Sequence, residues 1–502
     1  MNTLELLMQG FKVCMEPMNL LMCMGGGILG VFVGALPGLG SVAGTALLLP
    51  LTYTMNPTAA IIMLAAIYYG NMFGGAISAI LINIPGDAPA VMTAIDGYAM
   101  TKKGRAGTAL FTAFIASGIG GLVGAVILTL LGSVLSTLGL KFGPPETAML
   151  ILVAMTSIGW ILGESPTKGL AATSLGILLA CVGLDSQTGE NRLTFGLFYL
   201  LGGIPFIPTI IGLFGFSQVI RTMVEGIHKQ PDIDIGEVTL KGSIPHKEDW
   251  KRILPVAGRG SIFGFIVGLL PGSGATTATF LSYITEKRIN RRKEEMGHGA
   301  PQGVAICEAT NNSASIGAFG PLLSLGIPGS GTAAVLMGGL MMWGLQPGPL
   351  FMSNNPEFCW SLIASMFVGD LLICVLVILA IPVLVKILKI PNTLLVPIII
   401  CISIMGAYCM NNNENDILVM ILAGVIGYLF LKFDLPLAPV ALSLVLTAPL
   451  EAAIRQSFTI SNGSPAIFFT RPISLGLFIV GVMFICAPII LSFIKKIRNK
   501  EA

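Results

Sequence analysis

Charge is what this sequence has least of. Only 11% of its 502 residues are Asp, Glu, Lys or Arg, against roughly 25% in soluble chains. A soluble domain of this length needs far more surface charge, so a soluble enzyme, a nucleic-acid binder and a disordered scaffold are excluded. Histidine is nearly missing: His228, His246 and His298 are the three, all in polar stretches. The apolar runs therefore hold no His to ligate a metal or pass a proton. The nine Cys stand singly, with no CxxC pair. Cys23, Cys181, Cys374, Cys401 and Cys486 lie inside apolar runs and read as small packing residues. Neither HExxH nor GxSxG occurs, so an enzyme is not expected. The start, MNTLELLMQGFKVCMEP, lacks the basic residues and cleavage site of a signal peptide. It is expected to remain as a short surface helix.

Apolar residues fill the gap. They make up 54% of the chain, and the mean hydropathy is +0.86. This is the composition of an all-α polytopic membrane protein. A span needs about 20 apolar residues. Long apolar runs lie near 18–36, 58–84, 107–140, 147–163, 168–184, 194–220, 253–270, 303–327, 332–345, 358–385, 392–410, 416–432, 434–450 and 472–494. Several are short or cut by Pro-Gly, so roughly 11 to 14 membrane segments are expected, some of them half-spans. Gly (62) and Pro (30) are plentiful, as membrane helices allow, because neighbouring helices re-satisfy freed backbone groups.

Four clusters hold 18 of the 28 basic residues: Lys102 to Arg105, Arg221 to Arg252, Lys287 to Lys293 and Lys495 to Lys500. The positive-inside rule places all four in the cytoplasm, the C-terminal tail included. Four apolar runs separate the first two, and an even number returns the chain to the same side. The stretch 253–283 begins and ends on that side yet holds only 31 residues. It reads as a re-entrant hairpin with its tip at Pro271-Gly272-Ser273-Gly274. The loops DSQTGENR (185–192) and NNNEND (411–416) carry little basic excess and are placed outside. The polar stretch 226–252 is read as a cytoplasmic linker between halves at 1–225 and 253–502.

The halves repeat one another. Gly30 to Gly40 and Gly264 to Gly274 both read GxxVGxLPGxG, at an offset of 234. Downstream, Gly74 to Asp87 matches Gly317 to Ser330 around Ile84-Pro85-Gly86 and Ile327-Pro328-Gly329, at an offset of 243. Each half thus has a PGxG break, a loop and an IPG break in the same order. Pro-Gly within an apolar run stops a helix. Unwound backbone at membrane depth is tolerated only when buried in protein or lining a wet cavity. Paired broken helices in two halves point to a transporter's substrate site; the plainer alternative is a set of tight turns between spans. The linker at 53–57 is uncharged whereas its counterpart is strongly basic, so the repeat is expected to be inverted, with the breaks near the midplane.

Polar residues and the helix-breaking Gly and Pro residues mark the two sites. In the first half these are Gly38, Gly40, Ser41, Asn71, Ser78, Asn83, Pro85, Gly86 and Asp87. In the second they are Gly272, Ser273, Gly274, Thr276, Thr277, Asn311, Asn312, Ser313, Pro328, Gly329, Ser330 and Thr332. Apart from Ser41 and Asp87, all are candidate substrate-binding residues, and Asp87 is a candidate for ion coupling. Asn amides can bond a carboxylate through N–H and a cation through C=O; the alternative for Asn311 to Ser313 is an interhelical clasp. Asp87 could hold Na⁺ or carry a proton, and as readily cap the next helix. Thr276 and Thr277 could reach an anion or serve as caps. Glu308 and Asp370 are further acidic residues inside apolar runs and further candidates for ion coupling. Asp96 lies close to the basic loop and reads as interfacial. No metal ligand set and no cofactor are expected beyond Na⁺ or H⁺ as the coupling ion.

PGLG near the start, YYGNMFGGAISAILINIPGD, AIDGYAMTKKGRAGTAL and CEATNNSASIGAFGPLLSLGIPGSGTAA resemble the large permease subunit of tripartite tricarboxylate transporters, the TctA family. The likeness runs over roughly residues 15–440. It implies a permease of the bacterial inner membrane that works with a small four-span membrane subunit and a periplasmic solute-binding protein. It also implies import of di- or tricarboxylates such as citrate by symport with an ion. The absence of a GxxxxGK[ST] loop agrees that ATP is not used. An uncoupled anion channel and a stand-alone carrier are the alternatives, and a homodimer is compatible with either.

Overall fold

The computed structural model describes residues 3–36, 39–139, 141–161, 166–185, 188–225, 238–270, 274–387 and 392–483. Gly38, Gly272, Ser273 and the basic tail lie outside the described residues. The chain opens with α1 (Thr3–Cys14), α2 (Pro17–Ala35), α3 (Gly40–Leu48), α4 (Pro57–Ile82) and α5 (Val91–Lys102). The 34-residue α6 (Ala106–Gly139) follows, then α7 (Pro144–Ile161), α8 (Pro166–Ala180), α9 (Phe206–Ile210) and α10 (Ser217–Glu225). After α11 (Leu240–Ser243) come α12 (Lys247–Gly268), α13 (Gly274–Ile289), α14 (Pro301–Gly317), α15 (Phe319–Leu325) and α16 (Gly331–Met342). Then follow α17 (Phe351–Asn354), α18 (Pro356–Leu379), α19 (Ile381–Ile387), α20 (Asn392–Asn411), α21 (Glu414–Lys432), α22 (Ala438–Ile460) and α23 (Ile467–Thr470). Among the described residues the strands are one two-residue antiparallel pair, Gly183–Leu184 with Asn191–Arg192.

Among the described residues, seven helices are long and apolar enough to cross a membrane, and six more are apolar but shorter. The chain is an all-α multi-pass membrane protein, as its composition requires. The run at 58–84 is α4 and the run at 107–140 is α6, whereas the run at 303–327 is divided into α14 and α15. The expected hairpin at 253–283 is larger than its apolar core. Its arms, α12 and α13, reach from Lys247 to Ile289 because polar and basic residues extend both helices.

Local sequence explains the central helix. Asn56 caps α4 by accepting from the Thr58 N–H at 2.9 Å, and Pro57 occupies the first turn, where its missing N–H is no loss. Every residue from Ala59 to Ile82 is buried. α4 packs on α2 so closely that only glycine fits between them. A Cβ on Gly30 would lie 2.4 Å from the Ile67 carbonyl oxygen, and one on Gly34 would lie 2.3 Å from that of Asn71. In the second half a Cβ on Gly264 would lie 2.3 Å from the Thr310 oxygen, and one on Gly268 would lie 2.4 Å from that of Ala314. The glycine pairs differ by 234 and their partners by 243, the offsets of the sequence repeat. The two halves therefore share one helix-packing unit, of the small-residue kind that draws membrane helices together.

The first three basic clusters lie together. Arg105 pairs with Asp249 at 2.7 Å, Lys103 donates to the His298 carbonyl at 2.6 Å, and Arg252 pairs with Glu295 at 3.1 Å. Elsewhere, the loop after α8 is tied to α22 through Asp185, Arg192, Glu451 and Arg455. Near it, a cavity of about 1180 Å³ takes in Tyr199, Asn411, Asp416 and the end of α16.

Candidate functional site

Each half breaks its buried helix in the same manner. α4 ends at Asn83 with φ 58°, and α15 ends at Gly326 with φ 69°. The two positions correspond at the offset of 243, and both residue types tolerate the left-handed conformation that terminates a helix. Four residues on, the next helix is capped from within the break. Asp87 accepts from its neighbour Ala88 N–H at 2.8 Å, and Ser330 accepts from Ala333 N–H at 3.1 Å.

The described residues that end the PGxG motifs meet these caps. The second Asp87 oxygen accepts from the Ser41 N–H at 3.0 Å, in the first turn of α3. A single carboxylate thus joins two helix N-termini, where the backbone dipoles favour negative charge. Gly40 beside it has φ 64°, and its counterpart Gly274 has φ 60° next to Ser330. Ser330 has no charge to offer α13. The halves also cross. The Thr332 hydroxyl donates to Ser41 Oγ at 2.9 Å, Tyr68 and Ser330 hydroxyls lie 3.0 Å apart, and Thr279 donates to the Pro89 carbonyl at 3.2 Å. The four breaks therefore form one centre.

That centre is open while its surroundings are not. Asn83 is exposed, and Pro85, Asp87, Gly40, Gly274, Thr276, Thr277 and Ser330 are half-buried. Gly86, Pro328, Gly329 and Thr332 are buried behind them. Deeper in the first half, Asn71 is fully buried, and among the described residues neither end of its amide is bonded and the hydroxyls of Ser78 and Thr45 have no partner. A buried polar group without a partner is costly. Thr45 escaped the sequence reading, although the repeat marks it: its counterpart at the offset of 234 is Thr279.

The remaining candidates lie apart from this opening. Asn311, Asn312 and Ser313 are buried in α14. Ser313 donates to the Ser261 carbonyl at 2.6 Å and Thr310 to that of Gly260 at 3.1 Å, so this stretch clasps α14 to α12. The Asn311 and Asn312 side-chain oxygens remain unbonded. Glu308 accepts from Thr93 of α5 and, at 3.1 Å, from Ser117 of α6. Asp370 is buried in α18 against Gly121, with neither oxygen bonded. Asp96, read as interfacial, is fully buried within the protein beside the basic loop. It accepts from the N–H groups of Gly297, Gly299 and Ala300 at 2.8 to 2.9 Å and from Tyr283 at 2.8 Å, which locks α5 onto the start of α14.

The family model for the tripartite tricarboxylate transporter TctA family matches residues 20–442. An uncharacterised 52.8 kDa protein in the TAR-I ttuC' 3' region of Agrobacterium vitis is 39% identical over 502 residues, all of this chain and 98% of that protein. A second uncharacterised protein, in the TAR-II ttuC' 3' region of Agrobacterium vitis, is 38% identical over 238 residues, 47% of this chain and 97% of that protein. No solved structure matches. The match covers most of the chain, including all four breaks, and the chain accordingly belongs to the tripartite tricarboxylate transporter TctA family as a membrane transporter subunit.

Proposed function

We propose that this chain is the permease of a secondary transporter that imports small di- or tricarboxylates across the bacterial inner membrane, with its C-terminus in the cytoplasm. Its partners are a periplasmic solute-binding protein and a small four-span membrane subunit, and its driving force is a Na⁺ or H⁺ gradient. The observation that carries this reading is the single open centre made by four helix breaks, in which one half holds a carboxylate and the other does not.

In the first half Asp87 answers the N-terminal dipoles of α3 and the helix that follows it. In the second half Ser330 stands in its place, so the starts of α13 and α16 are left to receive a carboxylate of the substrate. Thr276 and Thr277 are exposed enough to donate to the same group. No Lys or Arg flanks the breaks in sequence. A multivalent anion beside Asp87 needs compensating positive charge, which a coupling cation provides. Asp87 with the unbonded oxygens of Asn71, Ser78 and Thr45 is suited to that cation, whereas Glu308 and Asp370 are suited to a proton.

The test is uptake of a labelled carboxylate panel by cells that lack this chain and then regain it with its candidate partners. Saturable uptake that needs the chain and collapses with the Na⁺ or proton gradient is expected. Uptake indifferent to both gradients would make it a pore, and no uptake of any carboxylate would remove the substrate assignment.

A further inference from the structure

Away from the breaks, a cavity of about 500 Å³ lies between the outer ends of α12 and α13 and the start of α14. Its wall includes Lys251, Arg252, Arg259, Arg291, Arg292 and Gln302. Two carboxylates reach these cations. Glu286 accepts from Arg259 at 2.6 and 3.1 Å and from the Asn290 amide at 2.6 Å. Glu295 meets Arg252 at 3.1 Å and Arg292 at 3.5 Å. Among the described residues, Lys251 and Arg291 have no acidic partner. Five cations thus face two carboxylates, and positive charge is left over.

Gln302 supplies an independent observation. It sits in the first turn of α14, is 1% exposed and lines the cavity, and among the described residues neither end of its amide has a hydrogen-bond partner. A buried amide in that state is costly, and a ligand oxygen that accepts from Nε2 relieves it.

We propose that this cavity binds a phosphate group. Guanidinium forks match phosphate oxygens in pairs, and four of the five cations are Arg. One wall is apolar: Ile289 lines the cavity and is 61% exposed, and Leu254 and Ile262 are exposed along α12. That face gives acyl chains a path beside an anionic headgroup, the arrangement by which basic pockets between membrane helices hold lipids. Inorganic phosphate presents the same chemistry from solution, so the source is decided by experiment.

The full-length chain in detergent is titrated with dioctanoyl phosphatidylglycerol, with inorganic phosphate and with dioctanoylglycerol, and its melting temperature is read. A saturable rise with either phosphate compound and none with dioctanoylglycerol is expected. A rise with phosphatidylglycerol alone assigns the site to a lipid headgroup, and a rise with inorganic phosphate assigns it to the phosphate group itself. No rise, or an equal rise with dioctanoylglycerol, overturns the proposal. Lys251→Gln with Arg291→Gln removes the two unpaired cations and should weaken the apparent affinity about thirtyfold, from ~1 kcal/mol per surface cation. Gln302→Leu keeps the volume, removes the amide and should weaken it independently of the surface charges. Unchanged affinity in whichever of these variants folds also overturns the proposal.

Discussion

Asp87 holds two helix starts at once, which separates its structural work from its charge. Asn caps helices as well as Asp does, so Asp87→Asn keeps an oxygen for the Ala88 N–H, and it loses the charge at the centre together with the second acceptor that meets the Ser41 N–H. The expected outcome is a melting temperature within a few degrees of the parent and saturable carboxylate uptake at least about tenfold lower, since a lost cation or proton site removes coupling rather than folding. Uptake at the parental rate would leave Asp87 as a cap alone. The position was legible in sequence because a carboxylate after IPG in an apolar run is conspicuous. Its partner was not. The Ser41 N–H that completes the arrangement is 46 residues away, and nothing in composition joins them. Glu308 illustrates the same limit. Its place inside an apolar run was readable, but its hydroxyl partners belong to α5 and α6, 215 and 191 residues away. Asp96 shows the limit again: its nearness to the basic loop was readable, but the three backbone N–H groups before α14 that close around it were not.

At the scale of elements the breaks were readable because they depend on local chemistry: Pro and Gly stop helices wherever they occur in an apolar run. The extra length of the arms α12 and α13 was less readable, because an apolar-run search discards the polar turns KEDWKR and EKRI that extend them. The repeat also carries a packing prediction. Gly34 and Gly268 each face a carbonyl oxygen within 2.4 Å of where a Cβ would stand, and that oxygen belongs to helix backbone, which cannot step aside. Gly25, on the same helix as Gly34, has nothing within 4 Å. Gly34→Ala and Gly268→Ala should each destabilise the protein by about 1–3 kcal/mol through overpacking. Gly25→Ala should be neutral or stabilise by up to about 1 kcal/mol, the helix-propensity difference. Melting temperatures of the three purified variants decide this. If Gly268→Ala is as benign as Gly25→Ala, the two halves do not share their packing in the membrane.

At the scale of the whole molecule, the relation between the halves is set by where their broken helices end. α5 leaves the centre and finishes beside Lys102 and Lys103, on the face where Arg105, Asp249, Arg252 and Glu295 pair. α16 leaves the same centre and finishes at the large cavity lined by Asn411 and Asp416. If the basic face is cytoplasmic and residues 411–416 lie outside, then equivalent helices run in opposite directions and the repeat is inverted. An inverted pair gives alternating access a structural basis, because exchanging the conformations of the two halves turns an outward-open centre into an inward-open one. The measurement is labelling by a membrane-impermeant maleimide in spheroplasts, after replacing the exposed Cys401 and Cys409. Glu190→Cys and Asn415→Cys should label in intact spheroplasts, and Glu294→Cys only after permeabilisation. Labelling of all three without permeabilisation would put both ends of the molecule on one side. The halves would then be parallel, and a centre approached from a single face could not alternate by exchanging them.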